Sequence, residues 1–152
     1  MRLVVGLLLS CGVIACAARD NRPEPGNRKT YEGLYLSGFE ASIFLPEGVA
    51  EHWWLSGDVP PVPGSERKGL PGLGDALVMR IAVDGTVTDK GLWGHLGSGE
   101  RELTVARILE RKPATLDEFQ LASCKLPSPE WATNEDLQTS DAYCAALKSR
   151  LK

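Results

Sequence analysis

The chain has two histidines and four cysteines in 152 residues, and none of them stands at a local metal-binding spacing such as His-x-x-x-His or Cys-x-x-Cys. Two stretches are rich in glycine, Gly69 to Asp75 and Gly94 to Glu100. Neither carries Gly-Lys-Ser/Thr or opens a helix after a strand, which excludes a phosphate cradle of the usual kind; glycines in β-turns explain both. There is no Gly-x-Ser-x-Gly elbow and no assignable pair of catalytic carboxylates. An enzyme would have to be assembled from distant loops, and a non-catalytic protein without a cofactor is expected. The formal charge of −3 gives no general attraction for phosphate backbones, so nucleic acid is not an expected partner. No internal repeat is visible. After the first residues no further hydrophobic run is long enough to span a bilayer.

The start of the chain is built as an address. Arg2 supplies a short positive region, and Leu3 to Ile14 is apolar or small, too short for a membrane-spanning helix but suited to a signal-peptide core. The stretch Val13-Ile14-Ala15-Cys16 resembles the lipobox of bacterial lipoproteins, in which cleavage precedes a cysteine that carries diacylglycerol. That resemblance implies a signal peptide over 1–15, lipid on Cys16 and a membrane-held protein. The stretch ending at Cys11 also fits the motif but leaves a shorter apolar core. Ordinary cleavage after Ala17 or Ala18 is the other alternative, and it would release a soluble protein. Ala17 and Ala18 follow the anchor with no Asp, the pattern that in enterobacterial lipoproteins accompanies export to the outer membrane, facing the periplasm.

Cleavage before Cys16 discards Cys11 and commits Cys16 to lipid. Cys124 and Cys144 remain, and two thiols in an oxidising compartment are expected to pair. Pro127 and Pro129 between them can turn the chain back.

Residues 16–30 read as a lipidated flexible tether, polar and without periodicity. The body is expected over 31–112. Leu34 and Leu36 alternate on one parity, Phe39, Ala41 and Ile43 on the other. The switch at Ser37-Gly38 suggests one long strand bending at a bulge. Trp53 and Trp54, adjacent in a short strand, must point to opposite faces. Asp84-Gly85 reads as a hairpin turn. Leu103 and Val105 against Ala106 and Ile108 mark a second parity switch. The loop over 58–74, rich in Pro and Gly, reads as disordered or variable. Five such segments suggest a small closed or nearly closed β-barrel. The tail, 113–152, turns helical. Thr115-Leu116-Asp117-Glu118 fits a capping box opening a short helix towards Ala122. Thr133 or Asn134 can cap a second helix through Leu151, with Leu137, Cys144, Leu147 and Leu151 on one stripe.

The run Gly33-Leu34-Tyr35, Phe39 and Phe44, followed by Met79 to Gly85 and Arg101 to Leu109, resembles the C-terminal OB-like domain of the NlpE envelope lipoproteins, over roughly 31–112. The resemblance implies a mainly β fold, a small five-stranded OB-like barrel with a short helical tail, in the cell envelope. The cysteine that family carries soon after the aromatic is replaced here by Leu45-Pro46-Glu47. The family's N-terminal domain and Cys-x-x-Cys pair are absent too, so redox sensing and copper handling do not carry over.

Trp53, Trp54, Trp93 and Tyr35 are candidates for a binding platform towards an envelope protein or cell-wall component, with core packing expected of at least two. His52 and His95, with Asp58 or Glu100, are the only metal candidates. Without local spacing they read as surface or strand-end histidines, and no metal site is assigned. Arg101, Arg107, Arg111 and Lys112, interleaved with Glu100, Glu102 and Glu110, read as a solvated strand face. The functional expectation is a lipid-anchored interaction or sensor module, with a small-ligand or metal-binding envelope protein as the alternative.

Overall fold

In a computed structural model, the residues described are 22–63, 65, 67–70, 74–127 and 133–150. The signal-peptide and lipobox readings, Cys16 among them, lie outside the described residues. Six strands form one sheet: β1 (Arg28–Gly38), β2 (Ala41–Pro46), β3 (Trp53–Ser56), β4 (Arg67–Leu70), β5 (Gly74–Val87) and β6 (Arg101–Pro113). Two helices follow, α1 (Leu116–Ser123) and α2 (Asn134–Arg150).

The sheet closes on itself. Its order is β1-β2-β3-β6-β5-β4, and β1 also pairs with β5, so five strands make a ring that is not a regular barrel. Every lateral pair is antiparallel except β3 with β6. Leu77 pairs with Ser37 on one edge and Arg67 on the other, so β4 extends the edge that β6 uses further along β5.

Both faces of β1 and β2 are apolar because both are covered. Inside the ring Tyr31, Tyr35, Phe44, Trp53, Leu55, Met79, Ile81, Val83 and Leu103 pack into one cluster. Outside, Leu34, Leu36, Ala41, Leu45 and Val78 pack under Phe119 of α1. Trp53 is the hub of the inner cluster, with Tyr31 edge-on at 5.2 Å between ring centres and Phe44 at 6.0 Å. An edge-on aromatic pair adds about 1 kcal/mol beyond its buried area.

Four sequence expectations change. Ser37-Gly38 is not a bend in one strand. Gly38 pairs with Ala41 and Phe39-Glu40 form a tight hairpin, Glu40 taking the left-handed φ of 52° that short hairpin turns favour. Asp84-Gly85 is not a turn either, since β5 runs straight through it. Asp84 instead accepts hydrogen bonds from Thr30 and Arg107, both 2.7 Å, and a Cβ on Gly85 would sit 2.5 Å from the Thr104 carbonyl. The glycine is there for close approach of two backbones. The 58–74 segment holds β4, and its Val59 and Val62 pack on the inner core, while Arg111 donates to the carbonyls of Pro60 and Pro61. Finally, Arg28, Lys29 and Thr30 were read as tether and are instead the first residues of β1. Even Pro25 forms a bridge with Val87.

The parity switch in the last strand has a direct cause. The register of β6 against β5 skips Leu109 and then Ala106, two bulges that let this 13-residue strand curl around the ring.

The tail follows its caps. The Thr115 side chain accepts from the Glu118 N–H while the Glu118 carboxylate accepts from the Thr115 N–H, a complete capping box. α2 packs on α1, its Leu147 fully buried and Cys144 half-buried. The Leu137 side chain and Leu151 lie outside the described residues. Cys124, capping α1, and Cys144, inside α2, are joined by a disulfide with their Cα atoms 5.9 Å apart.

Two stability outcomes follow. A Cβ on Gly33 would lie 2.1 Å from the Leu45 carbonyl oxygen. Gly33→Ala should therefore cost about 2 kcal/mol or more in urea unfolding, as overpacking does. Cys124→Ser with Cys144→Ser should lower stability by about 3 kcal/mol and expose α2 to proteolysis before the ring.

Candidate functional site

The segment joining β5 to β6, residues 88–100, does not project from the ring. It folds back along the outer face of β3. Trp54 and Ile43 are cross-strand neighbours on that face, and the loop backbone lies directly on the indole. A Cβ on Gly94 would be 2.0 Å from the Trp54 ring, and one on Gly99 would be 2.6 Å from the Trp54 nitrogen. Gly94 also has φ +74°, a conformation that costs a side-chain-bearing residue on the order of 1 kcal/mol. Glycine is needed at 94 for both reasons.

Two contacts brace the loop internally and a third ties it to the sheet. Trp93 and Gly99 bridge through two backbone hydrogen bonds of 2.9 Å, and the Trp93 indole donates to the Asp89 carbonyl at 3.2 Å. The His95 ring lies 3.3 Å from the Glu40 carboxylate, tying the loop to the tip of the β1–β2 hairpin. The result is a clasp that turns its apolar side chains outward. Leu92 is 87% exposed and Leu96 92%, with Phe39 on the hairpin tip at 68%. Leu96 is also held at φ 53°, which leucine rarely adopts.

At the root of the loop sits a buried charge cluster. Glu51 accepts hydrogen bonds from the Trp53 indole and from Arg101, both 2.9 Å, and its second oxygen meets Lys90 at 2.9 Å. Arg101 donates onward to the Thr88 carbonyl at 2.8 Å. Lys90 also reaches Glu100 at 3.3 Å, and Glu100 lies 3.4 Å from His52. Burial pushes the Glu51 carboxyl up, but hydrogen bonds from Lys90, Trp53 and Arg101 outweigh it and hold the group below its ordinary value. Thr30 and Arg107 hold Asp84 below its own.

The sequence-chosen platform is thus divided. Trp53 and Tyr35 are core residues. Trp54 is half-buried beneath the clasp, and Trp93 is half-buried within it. His52 and His95 are not brought together, for each faces a different glutamate. Among the described residues no three His, Cys, Asp or Glu side chains gather as a metal would require. Arg101 is not on a solvated face; it is buried against Glu51. Glu51, Lys90, Leu92 and Leu96 carry no sequence signal of their own, and Phe39, which alternates with Ala41 and Ile43 in the sequence, stands exposed at the hairpin tip instead of in a strand. Only the unpaired leucines of Leu92-Trp93-Gly94-His95-Leu96, lying among glycines, hinted at an apolar loop.

A second concavity of about 560 Å³ lies between α1 and the outer sheet. Leu34, Leu45, Val49, Leu121 and Leu126 line it, and Arg80 at its edge is ion-paired to Glu47 and Glu118.

Compared with family models, curated proteins and solved structures, the chain finds no match.

Two measurements check this geometry. Glu51 titrates below its ordinary value of about 4.5 in the fold. A carboxyl depressed in this way adds stability that is full above the unfolded value and is lost as pH falls through the folded one. Stability should therefore drop as pH falls below about 4.5, and Glu51→Gln should flatten that acid branch. Glu51→Ala leaves Arg101 buried without a counter-charge and should cost about 3 kcal/mol at neutral pH. Separately, Gly94→Ala should lift the clasp from Trp54, giving a red-shifted, acrylamide-accessible tryptophan with little change in the urea midpoint.

Proposed function

We propose that the protein is a non-catalytic, lipid-anchored interaction module of the cell envelope, an OB-like domain held at the membrane through Cys16. The observation that carries the interaction reading is the clasp, which is clamped at Trp54 and Glu40 yet holds two leucines out in solvent. A clamped loop loses no further conformational freedom on binding, so its exposed apolar area converts efficiently into affinity. The OB-like reading is supported by five strands in a ring, with β1 long enough to serve both β2 and β5. OB barrels commonly bind ligands on the face of their second and third strands. Here the clasp covers part of that face, so the partner surface is the outside of the clasp. The anchor reading is supported by the apolar run Leu3 to Ile14 ending in Ala15-Cys16. It sets the location at the envelope, on the periplasmic side of the outer membrane in a Gram-negative host.

A second reading has its own observation. The concavity beneath α1 has the size and lining of a site for a small apolar ligand. Native mass spectrometry of the gently purified protein separates the two. A bare protein is expected, and a ligand at unit stoichiometry would replace the first reading with the second.

The anchor has a direct test. Cys16→Ser should abolish acyl labelling and release the protein from membranes, whereas Cys11→Ser should do neither. A mature N-terminus at Ala18 or Arg19 would overturn it.

A further inference from the structure

We infer that the clasp rests on the bilayer, inserting Leu92 and Leu96 into its interfacial region as a second membrane contact beside the lipid. This rests on the anchor at Cys16 proposed above. Three observations carry it.

The first is where the chain enters the fold. Pro25 bridges Val87, and the Gly26 N–H donates to the Val87 carbonyl at 3.0 Å. Val87 ends β5, and the clasp begins at the next residue. The tether and the clasp therefore share one root.

The second is reach. Nine residue steps separate Cys16 from Pro25, and at about 3.5 Å per step the span is at most about 30 Å. A lipid in the bilayer at Cys16 keeps this root within that distance of the membrane surface. The bilayer is thus the partner within reach of the clasp surface described above.

The third is the chemistry of the tip. Leu92 and Leu96 are the two most exposed large apolar side chains among the described residues. Leu92 stands against Gly97, the residue after Leu96, where a Cβ would lie 3.0 Å from the Leu92 Cβ, so the two leucines share one turn of the loop. Between them in sequence is a half-buried Trp93, the residue type enriched where protein meets headgroups. The one lysine of the clasp, Lys90, is already paired with Glu51 and Glu100, and the His95 ring faces Glu40. The contact is therefore apolar, not a basic patch seeking anionic lipid. The turn that places Leu96 at positive φ holds its side chain out in solvent, where burial in hydrocarbon would be favourable.

Amide hydrogen exchange on the full-length protein in phosphatidylcholine nanodiscs tests the idea, with disc-free Cys16→Ser protein as reference. Exchange over residues 91–97 should slow by at least about tenfold in discs, equally at low and high salt. Leu92→Ser with Leu96→Ser should remain anchored and folded, both side chains being exposed, yet should exchange at the disc-free rate. Equal exchange in and out of discs, with the acyl mass present on the N-terminal peptide, overturns the inference and leaves the anchor standing. A missing acyl mass overturns both. Slowing that appears on concentrating the disc-free protein assigns the leucines to a second copy and overturns the bilayer contact.

Discussion

The ring is closed by a short parallel seam. β3 has four residues, and its parallel pairing with β6 runs only from Trp53 opposite Arg101 to Ser56 opposite Thr104. Parallel pairs are slightly weaker per residue than antiparallel ones, and a seam this short has little to define its register. The Glu51–Arg101 ion pair stands at its head. Glu51 lies two residues before Trp53, which opens β3, and Arg101 opens β6. Because both charges are buried, any slip of the seam would leave each without its partner, a far larger penalty than the pair's own net contribution. The same carboxylate orients the Trp53 indole at the centre of the inner core and holds Lys90 at the start of the clasp. Closure, core and loop placement thus share one acceptor.

Closing the ring creates a second problem. β1 and β2 present apolar residues on both faces, and closure buries only the inner set. α1 answers this by laying Phe119 over Leu34, Leu45 and Val78, and α2 braces α1 through the Cys124–Cys144 bond. The clasp covers Trp54 at the other side of the same face. Tail and clasp are therefore two covers for one outer surface. Among the described residues the clasp leaves the most exposed apolar side chains, Leu92 and Leu96.

Much of this was legible. The strand-rich body, the capping box, the pairing of Cys124 with Cys144 and the opposite facing of Trp53 and Trp54 follow from local rules. Two of the differences share a root. Glycine carries two meanings, turn and close approach, and only the neighbouring strand distinguishes them. Gly38 belonged to a turn and was read as a bend, while Gly85 lay under Thr104 and was read as a turn. The charge cluster was illegible for a different reason. Glu51 and Arg101 are fifty positions apart, and an arginine among glutamates in a strand looks solvated until its partner from another strand is placed. The clasp was hidden likewise, because its anchor, Trp54, is forty positions before Gly94.

The entry of the chain also has a mechanical meaning. A pull on the residues ahead of Arg28 acts along β1, which is bonded on one edge to β5 from Arg28 to Ser37 and on the other to β2 from Gly33 to Gly38. Hydrogen bonds between antiparallel strands lie across the strand direction. Such a load shears two ladders at once instead of peeling one bond at a time from an end. A tether attached to this strand would therefore transmit force into the most extensively paired element of the molecule, and the body would hold its shape while the membrane moved.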